Sequence, residues 1–380
     1  FGDISVGVVA GATIVSFKAY TITHGMRSAD FDALLIFFLV AQAFCFYQWV
    51  VTDRRKYLWL AALAVFLGMM TKGVAGGFYL PGIGIWFLLT RAGRKKLLDP
   101  GLYLSVGGAI GIMVGYYFLR EHLDPGYFAQ VTKNELSGRY VEHERQYTFF
   151  FHLERLYNGR YFRHLFLAAV VAIPVGLFGP HRRETLFVSV VGAAFLVVIS
   201  GSAVKHYWYS FPILPMLGLL AGLLVWRVYT YVKEKTTTRL GAVAYALLVV
   251  GLFTQPAYHL TQRVLAPREH QVSKPKHIPY RPAMRAFGGV RNYTVLAEDY
   301  NPTARFYVAL ERERGKNVQL RCWAPKVPPD ASKPLLELTA APGDTVLACH
   351  QVTRDYLRDN YSFTTYGKAG DCSMVVITGE

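Results

Sequence analysis

Chemistry is most concentrated at Met26-Arg27-Ser28-Ala29-Asp30-Phe31-Asp32-Ala33-Leu34-Leu35, where an arginine and two carboxylates stand at the lip of a strongly apolar run. A carboxylate in that position is expensive to desolvate, and acids in membrane segments commonly serve substrate or proton chemistry. Asp30 and Asp32 are two residues apart, so on a helix they point about 200° from each other. One of the two therefore faces any given cavity. An ordinary helix start, with Asp30 as the cap, accounts for the same residues.

Three further places carry groups of this kind. Thr71-Lys72-Gly73 sets a lone cation between two apolar runs, followed by Gly76 and Gly77. A snorkelling anchor and a fixed cation for a phosphate both fit it, and the glycines allow a tight turn with close backbone approach. The stretch 120–163 holds Arg139-Tyr140, Glu142-His143-Glu144-Arg145 and Phe149-Phe150-Phe151-His152. A long loop of this length is usually functional or disordered, and its aromatic content favours function. Glu142, His143 and Glu144 are adjacent, which is not a metal-ligand spacing. The residues require no cofactor, and a divalent metal stays an open alternative. Last, Lys205-His206-Tyr207-Trp208-Tyr209 crowds a cation and three aromatics into a turn ahead of Pro212 and Pro215. An interfacial aromatic belt explains the rings but not the lysine.

The elements that must position these residues are apolar. Of 380 residues 53% are hydrophobic and 17% charged, which excludes a disordered chain and a single soluble globule. Apolar blocks at 4–20, 33–52, 57–71, 74–90, 101–119, 164–179, 186–203, 211–229 and 240–257 predict a polytopic helical membrane body of nine spans. The net charge of +16 follows from basic loops. Arg54-Arg55-Lys56, Arg94-Lys95-Lys96, Arg182-Arg183 and the Arg227–Arg239 stretch occupy alternate connections, and the positive-inside rule puts them in the cytoplasm. The four chemical stretches then share the outer side. No basic run is interleaved with aromatics as single-strand binding needs, so nucleic acid is not an expected partner.

The organisation read from the chain is a membrane body over 1–258, a connector over 259–289, and a small α/β outer domain over 290–380. In that domain Tyr293–Glu298, Val318–Trp323, Thr345–Cys349 and Ser373–Thr378 are strand candidates. Pro302–Arg312, capped by Asn301, and Thr353–Asp359 are helix candidates. Cys322, Cys349 and Cys372 lie there, so an outer location allows one disulfide among three thiols.

On the outer side Arg27, Lys72, Arg139 and Lys205 would face one cavity with Asp30 and Asp32. Such a cavity suits a lipid-linked phosphate, its tail between helices and its phosphate on the cations. The residues also resemble a known family. Arg27-x-Ala29-Asp30-x-Asp32-Ala33-Leu34-Leu35, Thr71-Lys72-Gly73, Arg139-Tyr140 ahead of Phe149-Phe150-Phe151, and Lys205-x-x-x-Tyr209-x-x-Pro212-x-x-Pro215 are similar, in order, to motifs of lipid-linked-sugar glycosyltransferases. These are the protein O-mannosyltransferases and the lipid A aminoarabinose transferases. Ala29 stands where that family usually has Gly, and Met70 where it has Leu.

The resemblance implies a GT-C fold and an inverting transfer from a polyprenyl-phosphate sugar to a lipid, glycan or protein acceptor at the extracytoplasmic face of the inner membrane. It implies Asp32 as a functional acid, with Asp30 the alternate. It implies Arg27, Lys72, Arg139, Lys205 and Tyr209 as substrate contacts. The family's main acid lies in a loop between two spans that would precede residue 4, so the sequence reads as one lacking that loop. A transporter or flippase of a lipid-linked or anionic substrate is the competing expectation, and a membrane-anchored binding protein a third.

Overall fold

The computed structural model describes residues 4–16, 31–132, 147–158, 163–235, 239–265, 280–298, 301–323 and 340–379. The chain forms two compact units, 1–265 and 266–380.

The first unit is helical. Its long elements are α1 (Ile4–Ser16), α2 (Phe31–Thr52), α3 (Arg55–Lys72), α4 (Leu80–Leu89), the short α5 (Arg91–Lys96) and α6 (Pro100–Leu123). After a short α7 (Tyr127–Val131) and α8 (Phe151–Tyr157) come α9 (Arg163–Leu177), α10 (Arg182–Ser200), α11 (Leu214–Lys235) and α12 (Arg239–Leu265). The long helices are apolar over most of their length. In α2, Leu39, Phe46 and Trp49 are buried while Phe37 and Phe44 stay exposed. A helix with no polar face belongs in lipid, where its outer side meets hydrocarbon.

Each apolar block of the sequence overlaps a described helix. Among the described residues five segments are long and apolar enough to cross a membrane: Phe31–Thr52, Arg55–Gly77, Pro100–Leu123, Arg182–Gly201 and Tyr207–Glu234. Val6–Ser16, Leu80–Leu89 and Arg163–Leu177 are apolar but shorter. The expected span at 74–90 is interrupted: Gly73–Gly77 forms a 3-10 turn, and the helix restarts only at Leu80. The protein is thus a multi-pass helical membrane protein, without nine helices of full spanning length among the described residues.

Local sequence sets the helix ends. Thr90 caps α5 by accepting from Gly93 N at 3.2 Å, and Asp99 caps α6 by accepting from Gly101 N at 2.8 Å. Pro100 occupies the first turn of α6, where its missing N–H costs nothing. At this end of the bundle Lys96 pairs with Asp53, and Arg55 lies 3.9 Å from Asp99.

The second unit is a mixed five-stranded sheet of order β2-β1-β3-β5-β4. The strands are β1 (Asn292–Glu298), β2 (Asn317–Trp323), β3 (Thr345–Ala348), β4 (Ser362–Ala369) and β5 (Cys372–Gly379). β1 runs parallel to β2 and β3; β3 and β4 run antiparallel to β5. Helix α13 (Tyr280–Ala286), α14 (Pro302–Glu313) and α15 (Gln351–Asn360) cover it. Alternation along β1 sends Val295 and Leu296 into two separate apolar clusters, one on each face. Asn301 caps α14 as expected, accepting from Ala304 N at 3.0 Å. Cys349 and Cys372 form a disulfide that ties the end of β3 to the start of β5. The stretch 259–289 is more than a connector: α12 runs on to Leu265, and α13 buries Tyr280, Ala283 and Met284 in the sheet unit's core.

Candidate functional site

α2 and α3 pack side by side and run in opposite directions, so the first turn of α2 lies beside the last turn of α3. That arrangement brings together two residues 40 positions apart. The Lys72 ammonium donates to Asp32 Oδ1 and forms an ion pair with it. The two side chains are unequally covered: Asp32 is 7% exposed and Lys72 27%. The carboxylate is therefore shut in, while the ammonium reaches an opening.

The turn after Lys72 holds this geometry. Gly73 has φ 54°, a conformation that residues with a Cβ rarely adopt. Gly76 then folds back onto α3, where a Cβ would lie 2.2 Å from the Gly68 carbonyl carbon. Buried Gln42, on α2, donates to the Gly76 carbonyl at 3.0 Å. The glycine-rich turn is thus stitched to both helices that carry the ion pair.

The opening is a small, partly open cavity. Asp32, Lys72, Ser202, Trp208 and Tyr209 form its polar side; Leu35, Leu39, Phe78, Phe195 and Ile199 form its apolar side. The Lys72 ammonium is 5.8 Å from the centre of the Tyr209 ring, close enough for cation–π attraction. Tyr209 lies on a 3-10 segment, Tyr207–Ile213, anchored where the Tyr79 hydroxyl donates to the Pro212 carbonyl. His206 stacks on Trp208 at 4.3 Å, fixing the aromatic wall.

Lys205 is buried beside this cavity rather than lining it. Its ammonium donates to the Ser202 carbonyl at 2.6 Å. His152, on α8, is completely buried and neither ring nitrogen has a hydrogen-bond partner. Burial, with a smaller contribution from the Lys205 charge, pushes its pKa down to about 4. The imidazole is therefore neutral near pH 7.

Three expected site residues, Asp32, Lys72 and Tyr209, thus share one cavity, and Lys205 sits directly behind it. Arg27, Asp30 and Arg139 lie outside the described residues, as do Glu142, His143 and Glu144. Among the described residues no three His, Cys, Asp or Glu side chains cluster as metal ligands. Sequence reading gave no role to Gln42, although a lone amide inside an apolar helix is itself a signal. Phe78, Phe195 and Ile199 carried no signal, being apolar residues brought in from distant helices.

Chemically, the cavity offers a cation with spare donors beside an aromatic wall and an apolar floor. An ammonium has three N–H donors, and Asp32 takes one. Such a site suits an anion carried on an apolar tail.

Known proteins share this fold. Residues 4–117 match the model of a family described as dolichyl-phosphate-mannose-protein mannosyltransferase. The chain is similar in fold to the crystal structure of ArnT from Cupriavidus metallidurans bound to undecaprenyl phosphate. The TM-score is 0.53 at 17% identity, covering 98% of this chain and 83% of that one. The chain carries an ArnT-like fold. An uncharacterized protein of Aquifex aeolicus (strain VF5) is 26% identical over 196 residues. That match takes in 51% of this chain and 38% of the relative, so the chain spans under two thirds of that protein's length. The PMT-like segment ends within α6, and it includes both Asp32 and Lys72.

Proposed function

We infer that this chain is a membrane glycosyltransferase that takes a sugar from a polyprenyl-phosphate carrier and passes it to an acceptor hydroxyl at the extracytoplasmic face of the inner membrane, with inversion. The observation that carries the reading is the Asp32–Lys72 pair opening onto Tyr209 in a half-apolar cavity. The undecaprenyl phosphate bound to the ArnT structure and the mannosyltransferase description of the matching family support the same substrate class.

In the proposed reaction the acceptor oxygen attacks the anomeric carbon as its proton passes to a base. The bond from that carbon to the phosphate oxygen breaks, and polyprenyl phosphate departs carrying the electron pair. Lys72 neutralises the departing phosphate. Its cavity is partly closed to water, which strengthens that interaction. Lys205 adds positive charge from behind. Tyr209 orients the ammonium, and the apolar floor takes the first isoprene units.

Inversion constrains the role of Asp32. The base and the anchor of the leaving phosphate stand on opposite faces of the sugar, roughly 8 Å apart once the attacking oxygen and anomeric carbon fit between them. Asp32 is in direct contact with Lys72. Asp32 therefore acts on Lys72, holding its ammonium at the mouth of the cavity, and is a positioning residue. The base falls to another carboxylate. The proton balance and the charge balance are then carried by different acids.

Direct binding tests this reading. Undecaprenyl phosphate titrated into detergent-solubilised protein should bind wild type, and Lys72→Ala should weaken it about tenfold, the value of one charge-assisted hydrogen bond. Asp32→Asn should weaken it less, and Asp32→Glu should restore part of the loss. Equal affinity in wild type and Lys72→Ala would remove Lys72 from the phosphate site. Vectorial uptake of the carrier into vesicles without transfer would favour a transporter.

A further inference from the structure

A second site lies in the sheet unit, between α13 and α14. α13 buries Tyr280, Ala283 and Met284, which places Arg281 and Arg285 together beside that face, four residues apart. Both are exposed, and neither forms an ion pair among the described residues. Two like charges at that spacing repel each other, so the helix tolerates them without a local partner. Across the cleft α14 presents Phe306, 63% exposed, with Tyr307 beneath it. A large exposed aromatic next to a pair of guanidinium groups offers a ligand both an apolar face and a planar charged grip.

The third arginine in the cleft explains which part is free. Arg314 donates to Glu311 at 2.8 Å, and Lys316 lies 2.6 Å from the same buried carboxylate. Those two hydrogen bonds and charges outweigh the effect of burial and hold Glu311 below the usual carboxylate range. Glu311 is therefore already neutralised by its own pair. It does not cancel Arg281 and Arg285. The cleft keeps a net positive mouth over an aromatic platform.

We propose that this cleft binds an anionic saccharide, its phosphate or carboxylate held by Arg281 and Arg285 and its ring packed on Phe306. Guanidinium pairs match both anions through parallel N–H donors, and the aromatic face supplies the apolar surface that a sugar ring can cover. As a place to recognise the sugar acceptor, the site rests on the glycosyl-transfer reading. As a binding site it does not, and the test is by binding alone.

The experiment is calorimetric titration of the full chain in detergent at low salt. Four probes are used: glucose 1-phosphate, glucuronate, inorganic phosphate and neutral glucose. Glucose 1-phosphate and glucuronate should bind, and glucose should not. The double variant Arg281→Gln/Arg285→Gln should weaken both anionic sugars about tenfold or more, with the disulfide-linked unit unfolding at the wild-type temperature. The matching Lys double variant should recover part of the affinity, because it keeps charge but loses the planar fork. Phe306→Ala should weaken glucose 1-phosphate and leave inorganic phosphate unchanged. A glycolipid with a phosphorylated sugar, added in micelles, separates the two sources of such a group: tighter binding than glucose 1-phosphate, lost in the same double variant, assigns a lipid headgroup, and equal binding assigns a free saccharide. Binding of no probe, or equal binding by wild type and the Gln double variant, overturns the proposal. So does binding of glucose as tight as that of glucose 1-phosphate.

Discussion

Gly76→Ala should damage both stability and carrier binding, although alanine adds one methyl group. Its Cβ would sit 2.2 Å from the Gly68 carbonyl carbon and from Met69 N, and 2.6 Å from the Gly68 oxygen. All three atoms are backbone, so no side chain can swing aside. Opening the contact from 2.2 to 3.4 Å moves the turn about 1.2 Å away from α3. The Gln42–Gly76 hydrogen bond, now 3.0 Å, then stretches beyond hydrogen-bonding range. Overpacking costs about 1–3 kcal/mol and a stranded buried amide about 1–3 more, for a total of about 2–6 kcal/mol. The same displacement draws Lys72, which begins the turn, out of line with Asp32. Gly77→Ala is the control: its Cβ meets only Leu80 Cδ1, at an ordinary 3.5 Å, and should change stability by no more than about 0.5 kcal/mol. Thermal unfolding in detergent and undecaprenyl-phosphate titration read both variants. Gly76→Ala behaving like Gly77→Ala in both assays would refute the close-packed turn as the support of the site.

Three other outcomes follow from the structure. His152 has a folded-state pKa near 4 against an ordinary 6.5. The unfolded chain therefore binds its proton first, and stability should fall, by up to about 3 kcal/mol, as pH drops from about 6.5 to 4; His152→Phe should flatten that slope in unfolding temperatures measured against pH. Cys349→Ser should destabilise the sheet unit by about 3 kcal/mol, the chain-entropy value for a loop of this size, and thiol labelling should detect one new cysteine under non-reducing conditions. Lys205→Ala should weaken undecaprenyl-phosphate binding less than Lys72→Ala, because its ammonium is already committed to the Ser202 carbonyl; titration of the two variants side by side checks the order.

The sequence made most of the helices legible because hydrocarbon demands long apolar runs. It made α14 legible because Asn301 and Pro302 are an unambiguous start. The Thr71-Lys72-Gly73 turn and the Asp32 run were readable as motifs, yet their contact was not: nothing local says that residues 40 apart meet. Packing of α2 against α3 decides that. β4 was missed because Ser362–Ala369 is an edge strand with a mostly exposed, polar surface and so no clean alternation. α13 was missed because Pro282 and two arginines mask a three-residue apolar stripe whose meaning appears only when Tyr280, Ala283 and Met284 reach the core. The break at Gly73–Gly77 was hinted at by its glycines, but an apolar run outweighed them in the reading.

Transfer of labelled sugar bears most directly on the central claim. A panel of radiolabelled polyprenyl-phosphate sugars is offered to the purified protein with a membrane-lipid extract as acceptor. The account predicts a labelled product from wild type, reduced about tenfold in Lys72→Ala and less in Asp32→Asn, with Asp32→Glu closer to wild type. Product formed at the wild-type rate by both Lys72→Ala and Asp32→Asn would contradict it.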